Sequence, residues 1–267
     1  MVARVPQKIL RVKRFGSAIQ VSKPVGRVPG TDYRRVGAKR QPVKMFTFSS
    51  MRRARIHMEL YGDRYTHVID LTYPGDWVTT DVRIEQNHLK KFLQKMLRLG
   101  VQDYFWAKEY QERGVIHWHI LVDRFIHKDR IKAMWAEIIG EAARTNIDKI
   151  RSKKGMAQYV MAYWTKKEQK TIPEGVTGHG RWWGSNNAIK PTDEVSLRFQ
   201  SRKEAAFIMR HVDNYYGRLL KEWGKRSGRI YKRPARRQGF TVIGAGDRVE
   251  KVFLRLVTGY GSPEIIL

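Results

Sequence analysis

Apolar and polar positions change period several times along this chain. His67 to Thr72 (H-V-I-D-L-T) is a short strand-like run, closed by the turn residues Pro74-Gly75-Asp76. From Ile84 to Leu99 the period lengthens: Leu89, Phe92, Leu93, Met96 and Leu97 share one helical face, and Gly100 terminates it. Tyr104 to Gln111 and Val115 to Val122 predict a β-hairpin around Glu112-Arg113-Gly114. His127 to Ile139 predicts a second helix, with Ile131, Met134, Trp135, Ile138 and Ile139 on its core face.

Farther on, Asn146 to Ile150 fits a short strand, and Ser152 can cap a helix running to about Lys167. A Gly- and Trp-rich loop spans Gly178 to Pro191, and Val195 to Phe199 is strand-like. Ser201-Arg202-Lys203-Glu204 is a capping-box pattern that opens a long helix to about Trp223. Phe240 to Val257 can add one or two strands. Strands and helices alternate and the clearest strand pair is a hairpin, so the expected class is α+β with a largely antiparallel sheet.

Composition changes the picture mainly at the two ends. The 267-residue chain carries a formal charge of +28 and a pI of about 10.5. Met1 to Arg55 holds 15 Lys plus Arg against one acid, Asp32, together with Pro6, Pro24, Pro29 and Pro42. Such a stretch predicts a basic arm (1–60) that extends and orders on a polyanion. Arg218 to Arg237 adds nine Lys or Arg against Glu222 alone. The expected division is this arm, a catalytic or binding domain over 61–225, and a basic extension over 226–267 that packs on the core. A polyanion, nucleic acid above all, is the expected partner. There is no Cys, which excludes disulfides and Cys-based zinc sites and fits a reducing cytoplasm. No apolar run approaches the ~20 residues that span a bilayer. Gly224-Lys225-Arg226-Ser227 lacks the upstream glycine of a phosphate-cradling loop. Strand separation would then need a separate helicase.

The candidate chemistry lies in two places. His117 and His119 are two apart in a strand and so face the same way. Two imidazoles on one face can hold one divalent ion. A three-residue turn pairs Gln111 with Val115 and sets Glu109 opposite His117, making Glu109 a third ligand, with Gln111 as the competing donor. A mixed N/O set suits Mn²⁺ and tolerates Mg²⁺. The competing account is two half-buried histidines that simply pack. On the following helix, Tyr159 and Tyr163 are four apart and share a face with Lys166. A phenol with a pKa near 10 needs help to act as a nucleophile; a nearby ammonium and a metal-bound phosphate supply it. Attack on a DNA phosphodiester would leave a 5′-phosphotyrosine and a free 3′-OH. For the tyrosines, the competing account is an aromatic stripe packed on the sheet.

Taken together, these residues resemble the rolling-circle replication initiators of the His-hydrophobe-His (HUH) endonuclease superfamily, in the branch of single-stranded-DNA phages and related plasmids. I-D-L-T-Y-P (Ile69 to Pro74) is similar to the family's first motif. E-Y-Q-E-R-G-V-I-H-W-H (Glu109 to His119) is similar to the second, and Y-V-M-A-Y-W-T-K (Tyr159 to Lys166) to the third. Trp182-Trp183-Gly184 resembles a patch that follows the third motif in some members. Two positions depart from the pattern. Ala162 stands where a Lys is frequent between the tyrosines, which favours Tyr163 as the nucleophile. Asp70 replaces an uncharged residue of the first motif.

The resemblance implies a five-stranded antiparallel sheet with Mg²⁺ or Mn²⁺ held by His117, His119 and Glu109 on its face. It implies catalysis by Tyr163 and Tyr159 with Lys166 positioning the phosphate, and site-specific nicking and strand transfer on single-stranded or hairpin origin DNA. A host polymerase and a separate helicase would be partners. The expected DNA contacts are Arg52, Arg53, Arg113, Lys167 and Arg181, with Trp182 and Trp183 stacking on bases, and Tyr215, Tyr216 and Trp223 as further aromatic candidates. A transposase or relaxase of the same chemistry, and a non-catalytic nucleic-acid binder, are the alternatives.

Overall fold

The computed structural model describes residues 8–16, 18–22, 47–151, 172–199, 239–242 and 264–266. In chain order the elements are β1 (Lys8–Phe15), β2 (Ala18–Ser22), α1 (Phe48–Tyr61), β3 (His67–Leu71), α2 (Val82–Arg98), β4 (Tyr104–Tyr110), β5 (Ile116–Val122), α3 (Lys128–Ile139), β6 (Thr145–Lys149), β7 (Trp183–Ser185), β8 (Asp193–Phe199), β9 (Gly239–Val242) and β10 (Glu264–Ile266). The chain divides into two compact units, one of residues 1–34 with 190–267, the other of residues 35–189.

The second unit is an α+β fold built on an antiparallel five-stranded sheet of order β6-β3-β5-β4-β7. Strand alternation gives the sheet two different faces. On one, Ile69, Leu71, Ile116, Trp118, Ile120 and Val122 join a buried cluster with Leu89, Phe92 and Met96 of α2 and Ile131 and Trp135 of α3. On the other, Val68, Phe105, Ala107 and Leu121 pack with Ala54 of α1 and with Tyr65. Only one end of that second face is apolar.

Local chemistry explains the helix boundaries. The Asp81 carboxylate accepts from the Arg83 amide at 3.0 Å, starting α2 two residues before its first strongly periodic position. Thr47 caps α1 by accepting from the Ser50 amide at 3.2 Å. Gly140, at φ 86°, ends α3 in the left-handed region that suits glycine. In the hairpin, the Gln111 amide donates to the Val115 carbonyl at 2.9 Å and the Gly114 amide to Gln111 at 2.8 Å. The expected three-residue turn is therefore present.

The first unit has its own antiparallel five-stranded sheet, of order β10-β8-β1-β2-β9. Here the structure departs from the composition. The stretch expected as an extended basic arm supplies β1, β2 and α1. Interleaved Lys and Arg conceal the strand alternation in β1, and its partner β8 lies some 180 residues downstream. Lys13 and Glu194 form an ion pair at 2.9 Å, and the Arg14 Nε donates to Asp193 at 2.6 Å. Acids from the far end of the chain thus offset part of the N-terminal charge. The helices expected from Ser152 to Lys167 and from Ser201 to Trp223, and the basic run Arg218 to Arg237, lie outside the described residues.

The Trp182-Trp183-Gly184 motif is explained by packing. Trp183 stacks on Phe105 with ring centroids 5.4 Å apart. Gly184 lies opposite Trp106 in the β4–β7 pairing, and a Cβ at Gly184 would come within 2.7 Å of the Trp106 ring. Gly184→Ala should therefore destabilise the protein by roughly 1–3 kcal/mol through overpacking. A lowered denaturant midpoint with an unchanged m-value would report it.

A second expectation concerns His57 in α1. It is fully buried, with Nε2 2.7 Å from the Tyr65 hydroxyl. Burial lowers its pKa from 6.5 to about 4, against the raising influence of Asp103. Below pH 6.5 the unfolded chain therefore binds a proton that the native state refuses. This site's contribution is complete above pH 6.5 and is lost progressively as pH falls toward about 4. Urea unfolding at pH 7 and pH 5 should show that loss, and His57→Gln should reduce it.

Candidate metal centre

The polar end of the α1-covered sheet face is assembled by register. His117 and His119 project from β5 with ring centroids 4.5 Å apart and planes at 63°. The β3–β5 pairing sets Asp70 opposite His119. The β4–β5 pairing sets Glu109 opposite His117 and the small Ala107 opposite His119. On the outer side of β3, Asn146 of β6 lies opposite Asp70 and is exposed.

His119 is buried between two carboxylates. Its Nδ1 is 2.7 Å from Asp70 Oδ1 and its Nε2 is 3.1 Å from Glu109 Oε1. His117 Nε2 lies 3.9 Å from the same Asp70 oxygen. Burial by itself would lower the His119 pKa, but hydrogen bonds to Asp70 and Glu109 and their charge raise it. Burial would raise the Asp70 carboxyl, yet the two histidines hold it well below the usual carboxylate range. Two acids around a buried imidazole favour positive charge there, whether proton or metal cation.

The residues present fit a divalent ion. Asp70, His117 and His119 each offer a ligand atom, all within 4.8 Å of one another. The Nδ1 of His117 is buried and has no hydrogen-bond partner among the described residues. Neighbouring ligands of an octahedral ion with roughly 2.1 Å bonds lie about 3 Å apart. The His119–Glu109 spacing of 3.1 Å is of that size. A donor set of imidazole nitrogens and carboxylate oxygens matches Mn²⁺ and accepts Mg²⁺.

The structure brings Glu109 to the histidines, with its contact on His119. It also brings in Asp70, which the sequence marks only as a departure from a motif. The available signal was parity: in the run His67 to Leu71, Asp70 is the polar residue alternating with buried Ile69 and Leu71. Its proximity to His119 required knowing which strand β3 pairs with. Gln111, the other candidate donor, has its Oε1 engaged, accepting from Thr72 Oγ1 at 3.3 Å and Arg113 Nε at 3.1 Å.

Tyr159, Tyr163, Lys166 and Lys167 lie outside the described residues. Trp182 is buried, stacked on His179 and edge-on to Tyr110, with the buried Lys108 ammonium 5.5 Å from its ring. Trp183 packs on Phe105 and donates from Nε1 to Ser50 Oγ at 3.0 Å. Both indoles are thus occupied by protein neighbours rather than open for stacking. Arg53 and Arg181 are exposed, and Arg52 is half-buried on α1. Among the described residues, no helix is long and apolar enough to cross a membrane.

Residues 66–168 match the family model of the replication-associated protein ORF2. That span contains β3 through β6, every residue of the metal cluster, and the paired tyrosines, but is under half of the chain. No curated protein and no solved structure matches. The similarity to a replication-associated family supports a role in DNA replication and is consistent with a replication initiator.

Proposed function

We propose that the protein is a metal-dependent DNA nickase and strand transferase that initiates rolling-circle replication of a phage, virus or plasmid in the host cytoplasm. The observation that carries this reading is the cluster of His117, His119, Asp70 and Glu109 on one sheet face, inside the segment similar to a replication-associated family. Bound Mg²⁺ or Mn²⁺ would supply Lewis-acid polarisation of the scissile phosphate. Asp70 fixes the His119 ring through Nδ1 and leaves Nε2 and Glu109 as a donor pair.

The Tyr163 hydroxyl attacks the scissile phosphorus, with Lys166 easing loss of its proton. A Tyr–O–P bond forms and the P–O3′ bond breaks. The 3′ oxygen leaves with a proton, so phosphodiester energy is kept in the 5′-phosphotyrosine and rejoining needs no ATP. Tyr159 can repeat the step on a second strand. Exposed arginines such as Arg53 and Arg181 are suited to phosphate contacts, which would make binding salt-dependent. DNA unwinding and synthesis fall to a separate helicase and to the host polymerase.

Two experiments test this reading. Calorimetry should find Mn²⁺ binding that His117→Ala or His119→Ala abolishes and Asp70→Asn weakens roughly 10–100-fold; equal binding by all variants would remove the metal centre. Incubation with a single-stranded oligonucleotide library and Mn²⁺ should yield denaturation-resistant protein–DNA adducts, lost in Tyr163→Phe. Tight DNA binding without any adduct would make the protein a non-catalytic binder. An adduct that persists in the variant and maps to Tyr159 would reverse the order of the two tyrosines.

A further inference from the structure

Arg113 sits at the tip of the β4–β5 hairpin and is exposed, as a phosphate-binding arginine would be. Its guanidinium is nevertheless already engaged. Nη2 donates to the Tyr73 carbonyl at 2.7 Å, and Nη1 donates to Pro74 at 2.5 Å and Gly75 at 3.0 Å. Nε donates to Gln111 Oε1 at 3.1 Å. These bonds use four of the five N–H donors that a guanidinium carries. Gln111 Oε1 also accepts from Thr72 Oγ1.

The clamped segment is the exit of the strand that carries Asp70. The Thr72 carbonyl accepts from the Trp135 indole at 2.7 Å, so four consecutive carbonyls, 72 to 75, are held by side chains. Past Leu71 the sheet ladder no longer holds this backbone, and without these donors its carbonyls would turn to water. The hairpin that Arg113 caps carries Glu109, His117 and His119. Arg113 thus ties the Asp70 strand to the strands bearing the other three residues, at the end of the sheet where the ladder stops.

We infer that Arg113, with Gln111, is a positioning residue of the metal centre, fixing the exit of β3 against the β4–β5 hairpin, and is not a phosphate-binding residue. The metal part of this inference rests on the proposed function; the clamp itself does not. Lysine cannot replace the fork, because one ammonium does not span three carbonyls and an amide oxygen in a plane.

The full chain and its Arg113→Ala and Arg113→Lys variants decide it. Amide hydrogen exchange over 72–77 should be about tenfold faster in both variants. Mn²⁺ should bind about tenfold more weakly, with an altered electron paramagnetic resonance spectrum of the bound ion. The salt dependence of single-stranded DNA binding should be unchanged. Wild-type exchange in both variants would overturn the inference. So would faster exchange with unchanged Mn²⁺ affinity and spectrum, or a salt slope reduced by about one charge with unchanged Mn²⁺ affinity. A wild-type chain that binds no Mn²⁺ would sink the proposed function, whereas one that binds it equally with and without Arg113 would sink only the positioning role.

Discussion

His119 lies buried between Asp70 and Glu109, and the register of three strands puts it there. Each of the three residues would be costly alone in this environment, since burial disfavours an isolated charge. Together they are complementary, and the group that completes them is positively charged. A one-residue slip of β3 against β5 would turn Asp70 to the opposite face and bring an apolar side chain into its place. The candidate centre therefore depends on a property of the sheet more than on any one side chain.

What fixes that register is the other face. Trp118, Ile120 and Ile116 alternate with the histidines along β5 and are buried against α2 and α3, as are Ile69 and Leu71 of β3. Burying a large apolar side chain contributes roughly 1.5–3 kcal/mol, and a slipped strand would forfeit several such contributions at once. The apolar core thus holds the polar residues in alignment without touching them. Beyond the core, where β3 ends, the backbone carbonyls are taken over by Trp135 and Arg113.

The aromatic residues of the loop before β8 show how one motif admits two physical uses. Tryptophans on a basic protein suit base stacking. In the fold, Trp182 closes over His179 and Tyr110, and Trp183 covers Phe105, while Gly184 leaves room for Trp106. A similar exchange holds in the first unit, where lysine and arginine that suggest an extended arm are placed in strands and meet acids near β8. Charge composition describes what a segment repels and attracts; it does not say whether the backbone beneath finds a partner.

By itself the sequence determined the elements whose signal is local: the α2 and α3 helices, the hairpin with its three-residue turn, the shared face of His117 and His119, and Glu109 opposite His117. All follow from period and turn chemistry within about 40 residues. Only the tertiary structure decided that Asp70 joins the histidines, that Arg113 and Gln111 grip the exit of β3, that both tryptophans are packed, and that β1 and β2 pair in a sheet with β8 and β9. Each of these depends on a pairing between distant segments. Such pairings are selected by the total burial and hydrogen bonding of the folded chain, which no local window of residues contains.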